Sequence, residues 1–178
     1  MRSALGATAL TTVLLLAACG GDPEPRFEAE ASAEPSVASS SSAPAEPEAW
    51  EEKTPDGAVA FAEHWTATFS EAFRSGDTVA LAQLSGPNCE TCNTFIDLIQ
   101  GVYRDGGSIT GDPWRLTGAG WVKSEDEYVI TGQMVIPRQT ISRAGESPES
   151  AEALTRRYIF TITWAGKGWR TERLVRQA

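Results

Sequence analysis

An apolar stripe at helical spacing is the first strong pattern in the folded part of the chain. The stripe repeats every four residues and consists of Phe61, Trp65, Phe69 and Phe73. Side chains four residues apart share one face of a helix, so this segment is amphipathic. Thr54-Pro55-Asp56 supplies a helix start with proline in the first turn, and Ser75-Gly76 supplies an end. The pattern predicts a long first helix whose aromatic face packs on the rest of the domain.

Two further helices are predicted before the pattern changes. Asp77 or Thr78 can cap a short second helix that runs through Leu84. A third helix carries apolar residues at helical spacing and stops at Asp105-Gly106-Gly107. Its apolar residues are Phe95, Ile96, Leu98, Ile99, Val102 and Tyr103.

From Ser108 onward the apolar period is two, which is typical of strands with one buried face. The first inward-facing set is predicted to be Trp114, Leu116, Gly118, Gly120 and Val122; the second is Tyr128, Ile130, Gly132, Met134 and Ile136; the third is Tyr158, Phe160, Ile162 and Trp164. A polar loop is predicted from Ser142 to Ala153, and a hairpin turn at Gly166-Lys167-Gly168 before a last strand. Residues 54–178 are therefore predicted to form one α+β domain, with three N-terminal helices packed on a curved antiparallel sheet of four to five strands.

The beginning of the chain predicts export. Arg2 precedes an uncharged, mostly apolar run from Ala4 to Leu16, which is shorter than the ~20 residues of a spanning helix. Leu16-Ala17-Ala18-Cys19 resembles the lipobox of bacterial lipoproteins. We expect residues 1–18 to be a signal peptide and Cys19 to carry the lipid that holds the protein on the extracytoplasmic face of the cell membrane. An ordinary secretory peptide that ends near a cysteine is the alternative.

Composition separates a tether from the domain. Residues 20–52 are rich in Ala, Ser, Pro and Glu and hold nine acidic residues against one basic residue. A segment with so little apolar surface does not offset its ordering entropy, so residues 19–53 are predicted to be a disordered tether. Residues 53–178 hold thirteen basic and fifteen acidic residues, which means that most of the net charge of −9 belongs to the tether. A nucleic-acid partner is not expected for such a domain.

Cys89 and Cys92 are the two cysteines that remain once lipid takes Cys19. In an oxidising compartment they are predicted to form a structural disulfide at the start of the third helix. A thiol–disulfide oxidoreductase is a less favoured alternative, because Ala82 to Pro87 does not supply the apolar strand expected before such a motif. A zinc site would need two further ligands, so no metal is predicted.

Three features of the chain indicate a family resemblance. These are the order of helices and strands, the turn Ser75-Gly76-Asp77, and the segment Leu84-Ser85-Gly86-Pro87-Asn88-Cys89-Glu90-Thr91-Cys92. In these three respects the chain resembles an actinobacterial family of lipoproteins of unassigned function. The resemblance covers residues 54–178 and implies a cone similar to that of the nuclear transport factor two and SnoaL-like superfamily. Many members of that superfamily enclose a cavity between the sheet and its covering helix, and they include isomerases, cyclases and dehydratases as well as binding modules. The resemblance implies no catalytic residue, because no activity is known for the family.

The residues predicted to line such a cavity are Trp65, Phe69, Trp114, Tyr128 and Trp164. The acid–base candidates are His64, the one histidine of the chain, and Asp97, which lies among apolar residues of the third helix. Neither is embedded in a pattern that predicts catalysis. A basic face is predicted on the last two strands, where the cations are Arg156, Arg157, Lys167, Arg170, Arg173 and Arg176.

The favoured hypothesis is a membrane-tethered, non-catalytic module that binds a small apolar ligand or a cell-envelope protein. The main alternative is a cone-fold enzyme of the isomerase or cyclase type, and the oxidoreductase is the third. No cofactor is expected, because the sequence has no nucleophile elbow, phosphate loop or histidine-rich metal spacing.

Overall fold

The computed structural model describes residues 46–177 as helices packed on antiparallel sheet. The helices are α1 (Pro55–Ser75), α2 (Val79–Leu84) and α3 (Glu90–Arg104), and a 3-10 helix (Ala49–Glu51) precedes them. The strands are β1 (Ser108–Gly111), β2 (Arg115–Ser124), β3 (Glu127–Ile136), β4 (Gln139–Ser142), β5 (Glu149–Ala151), β6 (Leu154–Ala165) and β7 (Gly168–Arg176). The predicted α+β class, with helices on a curved antiparallel sheet, is confirmed.

The strands form two sheets where the sequence predicted one. The main sheet has four strands in the order β2-β3-β6-β7, and a smaller sheet has the order β1-β4-β5. The predicted loop from Ser142 to Ala153 therefore contains a strand, since β5 pairs with β4 through Thr140 and Ser150. All three residues of β5 are exposed, so the strand has no buried alternation by which it could be recognised in the sequence.

The apolar face of α1 packs on the inner face of the main sheet. Phe61, Trp65 and Phe69 are at most 1% exposed. The indole of Trp65 meets the ring of Phe160 edge to face, with centroids 5.6 Å apart. On β3 and β6 the predicted alternation is correct, because Ile130 and Phe160 pair directly and are both fully buried.

A β-bulge in β2 reverses the predicted alternation of that strand. Thr117 pairs with Gln133, but the next pair is Gly120 with Thr131, so β2 contains one extra residue there. Such an insertion moves every later side chain to the opposite face. Beyond the bulge, Trp121 therefore faces inward with Ile130. Val122, which we predicted to face inward, points outward and is 66% exposed.

Both ends of α1 follow the sequence signals. The backbone N–H of Gly57 donates to Thr54 Oγ1 (2.9 Å), which caps the start of the helix. Gly76 ends it in the left-handed conformation, with φ of 82°. A Cβ at Gly76 would lie 2.5 Å from the ring of Tyr103. The Tyr103 hydroxyl donates to the carbonyl of Arg74 (2.5 Å), which ties α3 to the end of α1.

The domain begins before Thr54, the boundary that composition predicted. The indole of Trp50 stacks on the imidazole of His64, with centroids 4.0 Å apart and ring planes 6° from parallel. Gly57 permits this packing, because a Cβ there would lie 2.1 Å from the carbonyl oxygen of Glu52. Part of the segment assigned to the tether is therefore ordered against α1.

The predicted signal peptide, Cys19 and the tether up to residue 45 lie outside the described residues. Within residues 46–177, no helix has the length and apolarity needed to cross a membrane.

Candidate functional site

The interior of the cone is filled by side chains. Trp65 and Phe69, two of the predicted cavity residues, are each 1% exposed and belong to the core. The Nε1–H of Trp65 donates to Ser85 Oγ (3.0 Å), so its one polar group is satisfied inside the protein. Trp114 is half-buried and packs edge to face on Phe69, with centroids 4.8 Å apart. These three predicted residues pack on one another in the core. Trp114 also borders a shallow depression beside α1.

Tyr128 and Trp164, the other two predicted residues, come together elsewhere. They line an open cavity of about 430 Å³, hereafter the aromatic cavity, at the hairpin end of the main sheet. Its lining residues are Lys53, Lys123, Asp126, Tyr128, Trp164 and Trp169. Trp169 joins the two predicted residues, because its ring lies 5.4 Å from that of Tyr128 and 5.0 Å from that of Trp164, almost perpendicular to both.

Strand pairing explains why these aromatic rings meet. The turns of the β2–β3 and β6–β7 hairpins lie at the same end of the antiparallel sheet. Trp164 and Trp169 are direct cross-strand partners near one turn. Tyr128 is the cross-strand partner of Lys123 near the other turn. Directly opposed side chains lie on the same face of a sheet, so all four project on the inner side.

Hydrogen bonds to the backbone fix the two indoles of the cavity. The Nε1–H of Trp169 donates to the carbonyl of Glu52 (2.9 Å), and that of Trp164 donates to the carbonyl of Gly166 (3.1 Å). Both indole donors are therefore used within the protein, and the rings present only their apolar surface to the cavity. Trp169 is 4% exposed and forms the floor, whereas Trp164 and Tyr128 are half-buried walls.

Two exposed lysines lie over the walls of the aromatic cavity. The Nζ of Lys53 is 5.9 Å from the ring centroid of Trp164, and the Nζ of Lys123 is 5.7 Å from that of Tyr128. Asp126 supplies a carboxylate at the same rim. The ion pairs found within residues 46–177 involve neither lysine, so both ammonium groups are available to a ligand.

The aromatic surface extends beyond the cavity. Trp121 follows Tyr128 across the sheet, with ring centroids 6.1 Å apart, and is 45% exposed. The β2 bulge places it on this side, because the predicted alternation would have turned it outward. One aromatic side chain from each strand of the main sheet thus contributes to a continuous surface.

The acid–base candidates do not converge on a cavity. His64 is covered by Trp50; burial lowers its pKa, and the nearby carboxylates of Glu48 and Glu51 oppose that shift. Asp97 is exposed on α3. Burial raises the pKa of Tyr158, against the opposing effect of Arg176 and then Arg156. None of the four cavities described within residues 46–177 is lined by His64, Asp97 or Tyr158.

Cys89 and Cys92 form the predicted disulfide at the start of α3. Both residues are fully buried. Thiol–disulfide exchange requires access of an attacking thiolate to a sulfur, so this burial argues against the oxidoreductase alternative. No group of three or more His, Cys, Asp or Glu side chains that could hold a metal occurs in the part of the chain that the structure describes.

The predicted basic face is divided between the two sides of the sheet. Arg173 pairs with Thr161 and Arg170 with Thr163, on the outer side. Arg176 pairs with Tyr158, whose side chain faces inward. A second bulge, where β7 contains one extra residue opposite Thr161 and Ile162, places Arg170 and Arg173 on the same side, whereas regular alternation would have placed them on opposite sides.

Sequence reasoning overlooked Lys53 and Lys123 as site residues. Lys53 had been assigned to the tether, and the predicted alternation, with Val122 facing inward, implied that the adjacent Lys123 faces outward. For Lys53 the available signal was Trp50, an isolated aromatic residue in a polar segment, which indicates that this segment packs on the domain. For Lys123 there was no local signal, since the small residues of the bulge have no hydrophobic pattern.

Comparison with known proteins identifies a family and a fold. Residues 30–174 match the family of unknown function DUF6318, and no curated protein matches the sequence. The intermembrane-space region of the chloroplast protein ARC6 is similar in structure, with a TM-score of 0.51 at 12% identity over 71% of this chain and 98% of that one. A candidate aromatic ring hydroxylase from Novosphingobium aromaticivorans gives a TM-score of 0.50 at 10% identity, over 70% and 91% of the two chains.

An NTF2-like protein with a cystatin-like fold, also from Novosphingobium aromaticivorans, gives a TM-score of 0.41 at 16% identity, over 66% of this chain and 79% of that one. At such identities the likeness concerns the fold alone. A shared fold does not by itself select a function.

Proposed function

The chain belongs to the family of unknown function DUF6318, and from that premise we propose that it is a membrane-tethered extracytoplasmic lipoprotein whose domain binds a ligand without catalysis. The observation that carries the binding function is the aromatic cavity, an open site with apolar walls and charged groups at its rim. Ligand sites commonly combine apolar lining with a few polar groups that fix orientation.

The packed interior supports a binding role over an enzymatic one. Enzymes that use general acid–base chemistry hold an acid or base within hydrogen-bond reach of a bound substrate. Here the positions deep in the cone are occupied by Trp65, Phe69 and Phe160, which offer no titratable group. In the aromatic cavity the one carboxylate, Asp126, is an exposed residue of a turn. This arrangement can hold a molecule but offers no activated group for a chemical step.

The sequence before the domain supports the tether. A short apolar run followed by Leu16-Ala17-Ala18-Cys19 is typical of a lipoprotein signal. A diacylated cysteine carries two long chains, and two chains give stable anchoring where one is marginal. In the segment that joins the proposed tether to α1, Glu52 and Lys53 contact Trp169 and Trp164.

Fatty-acid labelling tests the tether. Cells grown with labelled palmitate should incorporate label into the wild-type protein in the membrane fraction, whereas Cys19→Ala should give an unlabelled, uncleaved precursor. Ser36→Ala, in the proposed tether, serves as the matched control and should be labelled like the wild type. Label that persists in the Cys19→Ala protein would disprove lipidation at this cysteine.

Co-sedimentation with purified cell envelopes tests the binding function. The chain is produced from residue 19 with Cys19→Ser, so that lipid makes no contribution. It should sediment with envelopes, and Trp164→Leu together with Tyr128→Leu should release it, while cooperative thermal unfolding verifies that the double variant is folded. Val175→Ala, an exposed apolar residue on the outer side of the sheet, is the control. Equal sedimentation of all these proteins would remove the aromatic cavity as the binding site.

A further inference from the structure

We propose that the aromatic cavity binds a carbohydrate that carries negative charge, such as a carboxylated or phosphorylated sugar polymer of the cell envelope. This inference rests on the binding function proposed above and specifies the class of ligand. It comes from two features of the cavity: the form of its apolar surface, which Trp121 extends, and the charges at its rim.

The apolar surface fits sugar rings. A pyranose presents a face of C–H groups that stacks on an aromatic ring, with its hydroxyl groups directed outward around the edge. Trp164 and Tyr128 are half-buried walls with exposed ring surface, and Trp169 forms the floor between them. Because both indole N–H groups donate to backbone carbonyls, the rings are held in fixed orientations before any ligand arrives. Preformed orientation reduces the entropy cost of binding.

The charged rim excludes a purely apolar ligand and favours an anionic one. Three of the six lining residues are charged, namely Lys53, Lys123 and Asp126. The ammonium groups lie 5.9 Å and 5.7 Å from the centroids of the aromatic walls, close enough to reach a substituent on a ring stacked there. Each lysine offers three donors to hydroxyl, carboxylate or phosphate oxygens, and Asp126 can accept from hydroxyl groups.

Trp121 extends the site in one direction. Its ring is 6.1 Å from that of Tyr128 and is 45% exposed, so a second ring of the same ligand has an aromatic surface to contact. A chain of sugar units running across the strands would meet Trp164, Tyr128 and Trp121 in turn. The surface is therefore suited to an oligosaccharide rather than to a single small anion.

A membrane surface is the competing partner, since exposed tryptophan and lysine also occur where proteins touch lipid headgroups. The recessed position of the aromatic walls favours the carbohydrate. Trp169 is buried and Trp164 is half-buried, so neither projects from the turns as a side chain inserted among headgroups would. Of the acidic residues at the β2–β3 turn only Asp126 lines the cavity, where two lysines outnumber it.

Calorimetric titration tests the class of ligand. The chain produced from residue 19 with Cys19→Ser is titrated with trigalacturonate, with the uncharged methyl ester of trigalacturonate, and with mannose 6-phosphate. We expect saturable binding of trigalacturonate and a Kd for the ester roughly tenfold higher, because charge-assisted hydrogen bonds are lost. Mannose 6-phosphate is compared with galacturonate, which is also a single ring: comparable affinities extend the class to phosphorylated sugars, and weaker binding of the phosphate restricts the class to carboxylated ones.

Lysine variants connect the binding to the cavity. Lys53→Ala and Lys123→Ala should each raise the Kd for trigalacturonate by roughly tenfold and change that for the ester by less than about twofold. Lys167→Ala is the charge-matched control, because Lys167 is exposed on the β6–β7 hairpin, which carries Trp164 and Trp169, but does not line the cavity. The lysines are exposed, so these variants are expected to fold, and thermal unfolding verifies it.

The outcomes separate this inference from the proposed function. Envelope sedimentation that depends on Trp164 and Tyr128, combined with no binding of any sugar probe, would overturn the carbohydrate class and leave a binding module. Flotation of the same chain with phosphatidylglycerol vesicles, lost in Trp121→Ala, would overturn it in favour of a membrane surface. Equal loss of affinity in Lys53→Ala and Lys167→Ala would also overturn it, because the effect would then reflect overall charge.

Discussion

Removal of the Cys89–Cys92 disulfide should weaken the start of α3 without unfolding the domain. The bond closes a loop of only four residues, and the turn that contains it has other attachments. The N–H of Gly86 donates to the carbonyl of Thr171 on β7 (2.8 Å), and that of Cys89 donates to the carbonyl of Gly86 (3.0 Å). These hydrogen bonds should hold the turn in place when the covalent link is lost.

The expected cost of Cys89→Ala with Cys92→Ala is about 3.5 kcal/mol. On the chain-entropy model a four-residue loop contributes about 2 kcal/mol. Both sulfurs are fully buried, and the loss of each resembles the loss of a buried methylene group, which costs about 0.8 kcal/mol before any relaxation. Domains of this size are typically stable by about 5–15 kcal/mol, so the double variant should remain folded at room temperature.

Urea unfolding and hydrogen exchange measure the two parts of this prediction. The urea midpoint should fall by roughly 1–3 M. Exchange should accelerate at the first turn of α3, including the N–H of Asn93 that donates to Cys89 O (2.9 Å), and should be unchanged in the β3–β6 pairing.

Two results would refute a structural role for the bond. One is an unchanged midpoint in the double variant. The other is a reduction potential between about −270 and −120 mV with rapid exchange, because structural bonds have potentials below about −300 mV.

Three further predictions concern α1. Ser70→Ala should lower the free energy of unfolding in urea by about 1–3 kcal/mol, because Ser70 Oγ accepts the backbone N–H of Trp114 (2.9 Å). The exposed Ser75 is the control, and Ser75→Ala should cost less than about 0.5 kcal/mol; equal effects of the two variants would contradict the prediction. His64 is the one histidine of the chain, so NMR titration measures its pKa directly, and burial should place that pKa below the usual value of 6.5. The unfolded state then binds more protons than the folded state, so the free energy of unfolding should decline as pH falls through 6.5, and this decline should be absent in His64→Gln. Gly76→Ala should cost about 1 kcal/mol or more in the same unfolding assay, because φ is 82° and the Tyr103 ring occupies the position of a Cβ; a neutral result would show that the ring and backbone adjust freely.

Local patterns predicted the helices and the two central strands well. The stripe of α1 identifies its buried face because the helix is long enough for four aromatic residues to repeat on that face before Gly76. On β3 and β6 the alternating residues are large and apolar, so the face that they define is unambiguous. Both strands are central in the main sheet, where burial against α1 enforces that alternation.

The bulge in β2 could not be predicted because the residues that form it have little side chain. Gly118, Ala119 and Gly120 fit either face of a sheet, so the hydrophobic pattern does not show which face each of them occupies. The alternation before the bulge was therefore continued unchanged after it, and the later residues of β2 were assigned to the wrong faces. The consequence reached the candidate site, since Trp121 and Lys123 were assigned to the outer side.

The aromatic residues were predicted to line one cavity, and the structure separates them. Alternation identifies which face a strand residue occupies, but it does not tell how far along the strand the covering helix extends. Trp65, Phe69 and Trp114 lie where α1 packs on the sheet, and their rings fill the space. Tyr128 and Trp164 lie near the hairpin turns, beyond that cover, where the same kind of side chain borders a cavity.

The position of the aromatic cavity links ligand binding to the segment that joins the domain to its proposed tether. Glu52 O accepts the N–H of Trp169, and Lys53 lies over Trp164, so this segment forms one side of the cavity. The stack of Trp50 on His64 then fastens the same segment to α1. A ligand that bonds Lys53 would therefore favour the packing of this segment on the domain, and by linkage its binding would stabilise that packing. On the binding function that we propose, a cone with a filled interior would respond to a ligand where the proposed tether joins the domain, without any change in its core.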